Sequence, residues 1–218
     1  MMSEVNFETM RRSMVDSQLR TSGVTDPAVL AAMGAVARES FVPDDRAGMA
    51  YIDRRVPLGA GRALNPPVAT ALLLEALAPR SDDKILVIGA ATGYAAALLG
   101  QIGAAVIALE EDKTLADFAG QALAGHAHVS VVNAPLAEGW ARGGLYDAIL
   151  IDGAVAHVPD AIKAQLKDGG RIAAGIIERG VTRLASGRKA GDALALTDFL
   201  DADAVVLPGF DNPSGFVF

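Results

Sequence analysis

The chain contains no cysteine. That removes disulfide frameworks, thiolate zinc sites, iron–sulfur clusters and cysteine nucleophiles together. Aromatic residues make up only 5% of the 218 positions, too few to build the stacking platforms that hold single-stranded nucleic acid. Positive charge is also short. Nineteen Lys and Arg stand against 26 Asp and Glu, a net charge of −7, whereas nucleic-acid binders carry a basic face, so no nucleic-acid partner is expected. Long apolar runs are missing. The stretch from Ile88 to Ile102 is broken by Gly89, Thr92, Gly93, Gly100 and Gln101, and a spanning helix needs about 20 predominantly apolar residues. The opening segment mixes Glu4, Glu8, Arg11 and Arg12 with scattered apolar residues, without the apolar core of a secretory signal. No Gly-x-x-x-x-Gly-Lys phosphate loop occurs. His126, His128 and His157 share no ligand spacing with carboxylates, so no metal is expected. These absences predict a soluble, cytoplasmic chain with no membrane partner, and leave its chemistry open.

What is present is a regular alternation. Met10, Met14 and Leu19, then Val29, Leu30, Met33 and Val36, recur at helical spacing over residues 8–38. Thr25 or Asp26 is placed to cap the second helix, with Pro27 in its first turn. Residues 41–64 lose periodicity and read as a long irregular stretch, the kind that in compact domains is functional or disordered. From Pro66 helices and strands alternate. The predicted helices are Val68 to Leu77, Tyr94 to Ile102, Leu115 to Leu123 and Ile162 to Leu166. The predicted strands are Lys84 to Ile88, Ala105 to Leu109, Val129 to Val132, Asp147 to Ile151 and Arg171 to Ile177. Two further apolar segments follow, Ala193 to Phe199 and Ala202 to Leu207. Strand–helix alternation with near-continuous apolar strands predicts an α/β domain around a parallel sheet. Phe216 and Phe218 at the chain end are expected to pack on the sheet or on a partner chain.

Open α/β sheets bind ligands beyond the carboxyl ends of their strands. That rule points to residues 89–93, 110–112 and 152–154. Gly89-x-x-x-Gly93 lies between a strand and a helix, where glycines allow a sharp turn and close approach of a ligand to the backbone. Glu110 lies 21 positions beyond Gly89, about where an acidic side chain accepts hydrogen bonds from a ribose diol. A dinucleotide fingerprint needs a middle glycine where Ala91 stands. The pattern therefore favours S-adenosyl-L-methionine, which has no pyrophosphate to clear. Plainer readings stand beside these. The turn can simply connect strand to helix, and Glu110 can belong to a solvated acidic cluster with Glu111 and Asp112. Asn65 can cap the helix beginning at Pro66, and Asp152 can bind backbone amides of the 153–156 turn. Trp140 is expected to pack beside Tyr146.

Several segments, in order and at matching spacing, resemble the protein-L-isoaspartate O-methyltransferase family of class I S-adenosylmethionine-dependent enzymes. These are Arg38-Glu39-Ser40-Phe41-Val42 within residues 15–43, Tyr51 with the Val56 to Gly61 loop, KILVIGAATGY at residues 84–94, Val106 to Glu110, and Tyr146 to Gly170. The resemblance implies a doubly wound, Rossmann-like, mostly parallel seven-stranded sheet. Its last strand is antiparallel, with 193–199 and 202–207 as the final hairpin. It also implies an N-terminal helical extension with a substrate-side loop over residues 1–64, and a cofactor-binding domain over 65–218. The implied activity is methylation of isoaspartyl carboxylates in damaged proteins, with S-adenosyl-L-homocysteine as product, a protein or peptide as substrate, and a monomer or homodimer as the unit. Carried over by position, Gly89, Ala90, Ala91, Thr92, Gly93, Glu110, Glu111, Ala134 and Pro135 are the cofactor-binding candidates, and Asn65 and Asp152 the catalytic ones.

The chain also departs from the family pattern. Asn65 stands where a serine is expected, Val87 where the first motif has an acid, and Pro135 where an aspartate lies near the adenine; Asp152 replaces a small or hydroxylated residue. Asparagine keeps two amide donors able to orient a carboxylate, whereas Asp152 beside an anionic acceptor opposes it. The alternative expectation is thus the same fold with an altered acceptor or with no turnover.

Overall fold

A computed structural model describes residues 6–59 and 61–210. Helix α1 (Phe7–Met14) starts at Asn6, whose side chain accepts from the Thr9 amide. It continues through a π turn at Val15–Leu19 and a 3-10 turn at Arg20–Ser22, and stops at Gly23 with φ of 88°. Helix α2 (Pro27–Ala35) is capped by Asp26, which accepts from the amides of Ala28 and Val29. Thr25 turns instead to Glu75, donating its hydroxyl at 2.6 Å. The apolar residues Met14, Leu19, Leu30 and Met33 share one buried cluster with Leu73 and Leu74 of α3 (Pro67–Leu77) and Leu98 and Leu99 of α4 (Tyr94–Ile102). Burial of these side chains, each worth about 1.5–3 kcal/mol, fixes the N-terminal helices to the sheet.

The stretch expected to be irregular contains a small hairpin. Strands β1 (Val56–Gly59) and β2 (Arg62–Leu64) pair antiparallel and form their own two-stranded sheet. The main sheet is built from β3 (Lys84–Ile88), β4 (Ala105–Glu110), β5 (Val129–Asn133), β6 (Tyr146–Val155), β7 (Leu166–Glu178), β8 (Val181–Ala190) and β9 (Ala193–Asp201). Their order is β5-β4-β3-β6-β7-β8-β9. The first five run parallel, while β8 is antiparallel to both β7 and β9. The order reverses at β3, so the carboxyl ends of β3, β4 and β6 flank a topological switch point, where such sheets bind ligands. Helices α3 and α4 cover one face with the N-terminal helices. A second cluster covers the other face, built around Leu86, Ile88, Ile149, Ile151, Ile162 of α6 (Asp160–Ala164) and Phe210. Helix α5 (Lys113–Ala122) closes the β4–β5 crossover, capped by Asp112.

The final hairpin lies elsewhere than expected. It is formed by β7 to β9, and β8 is a segment whose Arg183, Ser186, Gly187, Arg188 and Lys189 carry no apolar signature. Arg179 and Gly180, both at positive φ (52° and 81°), make the two-residue turn that a tight hairpin demands. Residues 202–207 do not form a sheet strand. They cross the carboxyl ends as a strap: the Ala154 amide donates to Val205 O at 2.7 Å and the Leu207 amide to Ala154 O at 2.9 Å. Phe216 and Phe218 lie outside the described residues. No helix among the described residues is long and apolar enough to cross a membrane.

Gly93 shows how tightly the β3–α4 turn is built. Its φ is +99°, and a Cβ there would lie 2.6 Å from Leu123 Cδ1 and 3.5 Å from Ala119 Cβ. Gly93→Ala is therefore expected to cost about 1–3 kcal/mol through backbone strain and overpacking. Thermal unfolding followed by circular dichroism should show a fall in Tm of several degrees.

Candidate active site

The β3–α4 turn directs its backbone inward. The amides of Gly89 and Ala90 both donate to Leu109 O at 3.0 Å, locking the turn to β4. Ala91 occupies the left-handed region with φ of 50°, disfavoured for any residue with a Cβ. Its amide donates to Glu110 Oε2 at 2.8 Å, which holds the strained conformation. The Thr92 hydroxyl donates to Phe41 O at 2.5 Å, tying the turn to the N-terminal segment.

Glu110 ends β4 and is 0% exposed. Its Oε1 accepts from Arg62 Nη1 at 2.5 Å and the Asp112 amide at 3.0 Å, and its Oε2 from Arg62 Nη2 at 2.8 Å as well as from Ala91. This is a buried, bidentate ion pair rather than a solvated acidic cluster. Asp112 caps α5, and Glu111 is exposed with Oε2 3.4 Å from the Leu136 amide. On the β5 side, Asn133 donates its side-chain amide to the carbonyls of both Glu110 and Glu111 at 2.9 Å. The Ala134 amide reaches Glu110 O at 3.3 Å. Pro135 leads a 3-10 turn at Leu136–Glu138. Val87 is fully buried in the core cluster.

Asn65 does not cap α3, whose first turn has no side-chain cap. Its Nδ2 donates to Asp152 O at 3.0 Å and Asp152 Oδ1 at 2.8 Å, and its Oδ1 accepts from the Val205 amide at 2.7 Å. One side chain thus joins the segment that follows β2, the end of β6 and the strap, with both of its donors spent. The partner of Asp152 is Asn65 rather than the amides of its own turn. Burial pushes the Asp152 carboxyl up to about 6, against the Asn65 hydrogen bond and the nearby charges of Arg38 and Arg62, while Glu110 adds to the rise.

Two buried guanidinium groups surround this pair. Arg38, 0% exposed, donates from Nε to Ala50 O and from Nη2 to Asn65 O, each at 2.6 Å, and stacks 4.6 Å over the Tyr94 ring. Its burial pulls its pKa down. Arg62 is 7% exposed. Arg38 Nη1, Arg62 Nε and the Tyr94 hydroxyl are buried without a hydrogen-bond partner among the described residues.

The strap covers the floor of the site. A Cβ on Gly89 would lie 2.7 Å from Leu207 Cδ1, and one on Gly153 would lie 2.5 Å from Val205 O. The structure therefore brings Asn65, Asp152, Gly89 to Gly93 and Glu110 to one end of the sheet, with Ala134 beside them. Glu111 faces outward. Arg62 and the strap escaped the sequence reading. Arg62 has a signal, as the one charged residue between Arg55 and Glu75, and a charged residue that an apolar segment carries inside must be paired there. Tyr146 donates its hydroxyl to Trp140 O at 2.7 Å, so these two residues do meet. No cluster of potential metal ligands occurs among the described residues.

Comparison with known proteins agrees with this architecture. Residues 10–206 match the family model for protein-L-isoaspartate(D-aspartate) O-methyltransferase. A protein-L-isoaspartate O-methyltransferase of Methylorubrum extorquens is 44% identical over 163 residues, covering 74% of this chain and 72% of the relative. One from Rhodopseudomonas palustris is 44% identical over 161 residues, covering 73% and 74%. Among solved structures, a protein-L-isoaspartate O-methyltransferase superposes with a TM-score of 0.80 at 22% identity, covering 91% of this chain and 66% of its own. A Plasmodium falciparum chain described as a protein-L-isoaspartate O-methyltransferase, in complex with S-adenosyl-L-homocysteine, gives 0.77 at 19% identity, covering 94% and 99%. The two structural likenesses speak for the fold, and the family match and the relatives for descent: this chain belongs to the protein-L-isoaspartate(D-aspartate) O-methyltransferase family.

Proposed function

We propose that this chain transfers the methyl group of S-adenosyl-L-methionine to isoaspartyl carboxylates of altered proteins, as a cytoplasmic repair enzyme. Beyond family membership, the observation that carries this reading is Glu110, a fully buried carboxylate at the end of β4 beside the Gly89–Gly93 turn. The donor set suits the cofactor. Glu110 stands at the strand end from which a carboxylate accepts a ribose diol, its two oxygens held in the ligand-free chain by Arg62; Gly89 and Gly153 carry no Cβ where Leu207 sits against them, and Ala134 lies beside the end of β4 with Pro135 next to it. When bound, the cofactor supplies an electrophilic methyl group.

The remaining work falls to alignment, because a carboxylate acceptor is already a nucleophile at neutral pH and needs no base. Holding the acceptor in line with the methyl group supplies the acceleration. Asn65 is a positioning residue, fixing Asp152 between β6 and the strap. Asp152 holds a proton below about 6. In that form it donates a hydrogen bond to the acceptor, the task of the hydroxyl expected at position 65. A bound carboxylate raises this value further, as like charges do. The second reading keeps the same fold with an altered acceptor or with no turnover.

Transfer of labelled methyl to an isoaspartyl peptide, and none to the same peptide with ordinary aspartate, is the expected outcome. Binding of S-adenosyl-L-homocysteine without any such transfer selects the second reading.

The state of Asp152 gives a pH test. Its charged form repels the acceptor, so kcat/KM for the isoaspartyl peptide should fall as pH rises through about 6 and beyond, and Asp152→Asn should flatten that profile. Stability carries the same sign. A folded-state value above the ordinary aspartate value of about 3.9 means that the folded chain holds this proton more tightly. Its stabilising effect is present at low pH and is lost as pH rises from about 4 to about 6. Asp152→Asn should remove that slope from urea denaturation curves.

A further inference from the structure

Glu110 has the geometry to accept a diol, yet both of its oxygens face the Arg62 guanidinium in parallel bonds of 2.5 and 2.8 Å. The same fork-to-carboxylate pairing is the one by which arginine recognises a carboxylate ligand. Arg62 belongs to the β1–β2 hairpin, whose two strands pair only with each other. Two-stranded hairpins are marginal on their own in water, and the ion pair ties this one to the end of β4. Three residues further along the chain lies Asn65, bonded to Asp152. Arg62 Nε is buried and has no acceptor among the described residues, as is true of Arg38 Nη1. Buried guanidinium donors without acceptors are costly, and they mark the place where an incoming anion gains most.

We propose that Arg62 is the residue that recognises the acceptor carboxylate, and that in the ligand-free chain Glu110 stands in for that carboxylate. This rests on the methyltransferase reading above. Binding is then an exchange of partners. The acceptor carboxylate takes the Arg62 fork, Glu110 is released to accept from the ribose diol, and neither buried charge is left alone. Leaving either one unpaired is costly, since breaking a buried ion pair from one side strands an uncompensated charge away from water. Cofactor and acceptor therefore bind with positive cooperativity, each lowering the cost of the other's entry. Leu207 is seated on Gly89 and Gly153, so the strap shifts in the same step. An uncharged acceptor does not open the site, which makes Arg62 a determinant of specificity for a carboxylate.

Calorimetric titration of S-adenosyl-L-homocysteine tests the exchange, using the full chain and its Arg62→Gln variant, each with and without an isoaspartyl peptide. The isoaspartyl peptide is expected to tighten binding to the native chain by about tenfold or more, and an asparaginyl control peptide to leave it unchanged. Arg62→Gln is expected to bind S-adenosyl-L-homocysteine more tightly than the native chain by a similar factor, to gain nothing from the peptide, and to show a raised KM for the peptide with a smaller change in kcat. Arg62→Lys keeps the charge without the fork. It should fall between the two, and it serves as the test if melting curves show that the glutamine variant does not fold. Equal affinities in native and variant chains, or equal tightening by the peptide in both, overturn the exchange and leave the methyltransferase reading standing. Absence of binding at millimolar ligand in every form overturns the methyltransferase reading itself.

Discussion

A single carboxylate organises the end of the sheet. Glu110 is fully buried, and four donors converge on it from three places: the Arg62 guanidinium of β2, the Ala91 amide of the β3–α4 turn and the Asp112 amide at the start of α5. A charge without solvent must be paired and hydrogen-bonded to persist, so the position of each donor is set by the need to reach it. Ala91 shows the strength of that demand. Its left-handed backbone is disfavoured by roughly 1–2 kcal/mol, and the amide bond to Glu110 offsets that strain. The hairpin, the turn and the first turn of α5 are thus placed by one group, whose freedom to change partners governs what else can enter.

The second organising group is Asn65. Its side-chain amide joins Asp152 to Val205 and closes the site from the opposite side, while its backbone carbonyl accepts from Arg38. Together with Leu207 on Gly89 and Gly153, this network lays the strap across the strand ends. The two halves of the site are electrically coupled, because Asp152 feels both arginines and Glu110. Moving Arg62 toward an acceptor alters the field at Asp152 as well as at Glu110. In the proposed exchange, a proton on Asp152 and a partner for Arg62 are therefore linked requirements for admitting a carboxylate.

The alternation of apolar strands with helices was legible because it follows from burial on both faces of a parallel sheet, and the strand ends pointed to the loops that hold Glu110 and Asp152. What escaped has a physical reason in each case. Strand β8 is rich in Arg, Lys, Ser and Gly. It is held by ladder hydrogen bonds to β7 and β9, which backbone atoms supply whatever the side chains are. Residues 202–207 carry the apolar content of a strand, yet they bury it against the strand ends through Ala204, Val205 and Leu207, and composition does not distinguish these two destinations. For Asn65 the type and place of the residue were visible, but its partners lie 87 and 140 positions away. Arg62 was visible only as a lone charge among apolar neighbours.

The acidic surplus of the chain takes on a different meaning beside this site. A net charge of −7 opposes the approach of an anionic acceptor at long range, although at physiological ionic strength that repulsion is screened over about 8 Å. Near the strand ends the balance differs. Arg38 and Arg62 face Glu110 and a carboxyl, Asp152, that is neutral below about 6, and both arginines are shielded from solvent. Charges in such surroundings are screened far less than those on the surface, so these two cations dominate the potential that a carboxylate meets once inside. A surface that disfavours anions around an interior that pairs with them selects against weakly held anions and for one that can displace Glu110. Discrimination by exchange needs that combination, since a cationic approach would bind any anion before the test of fit at Arg62.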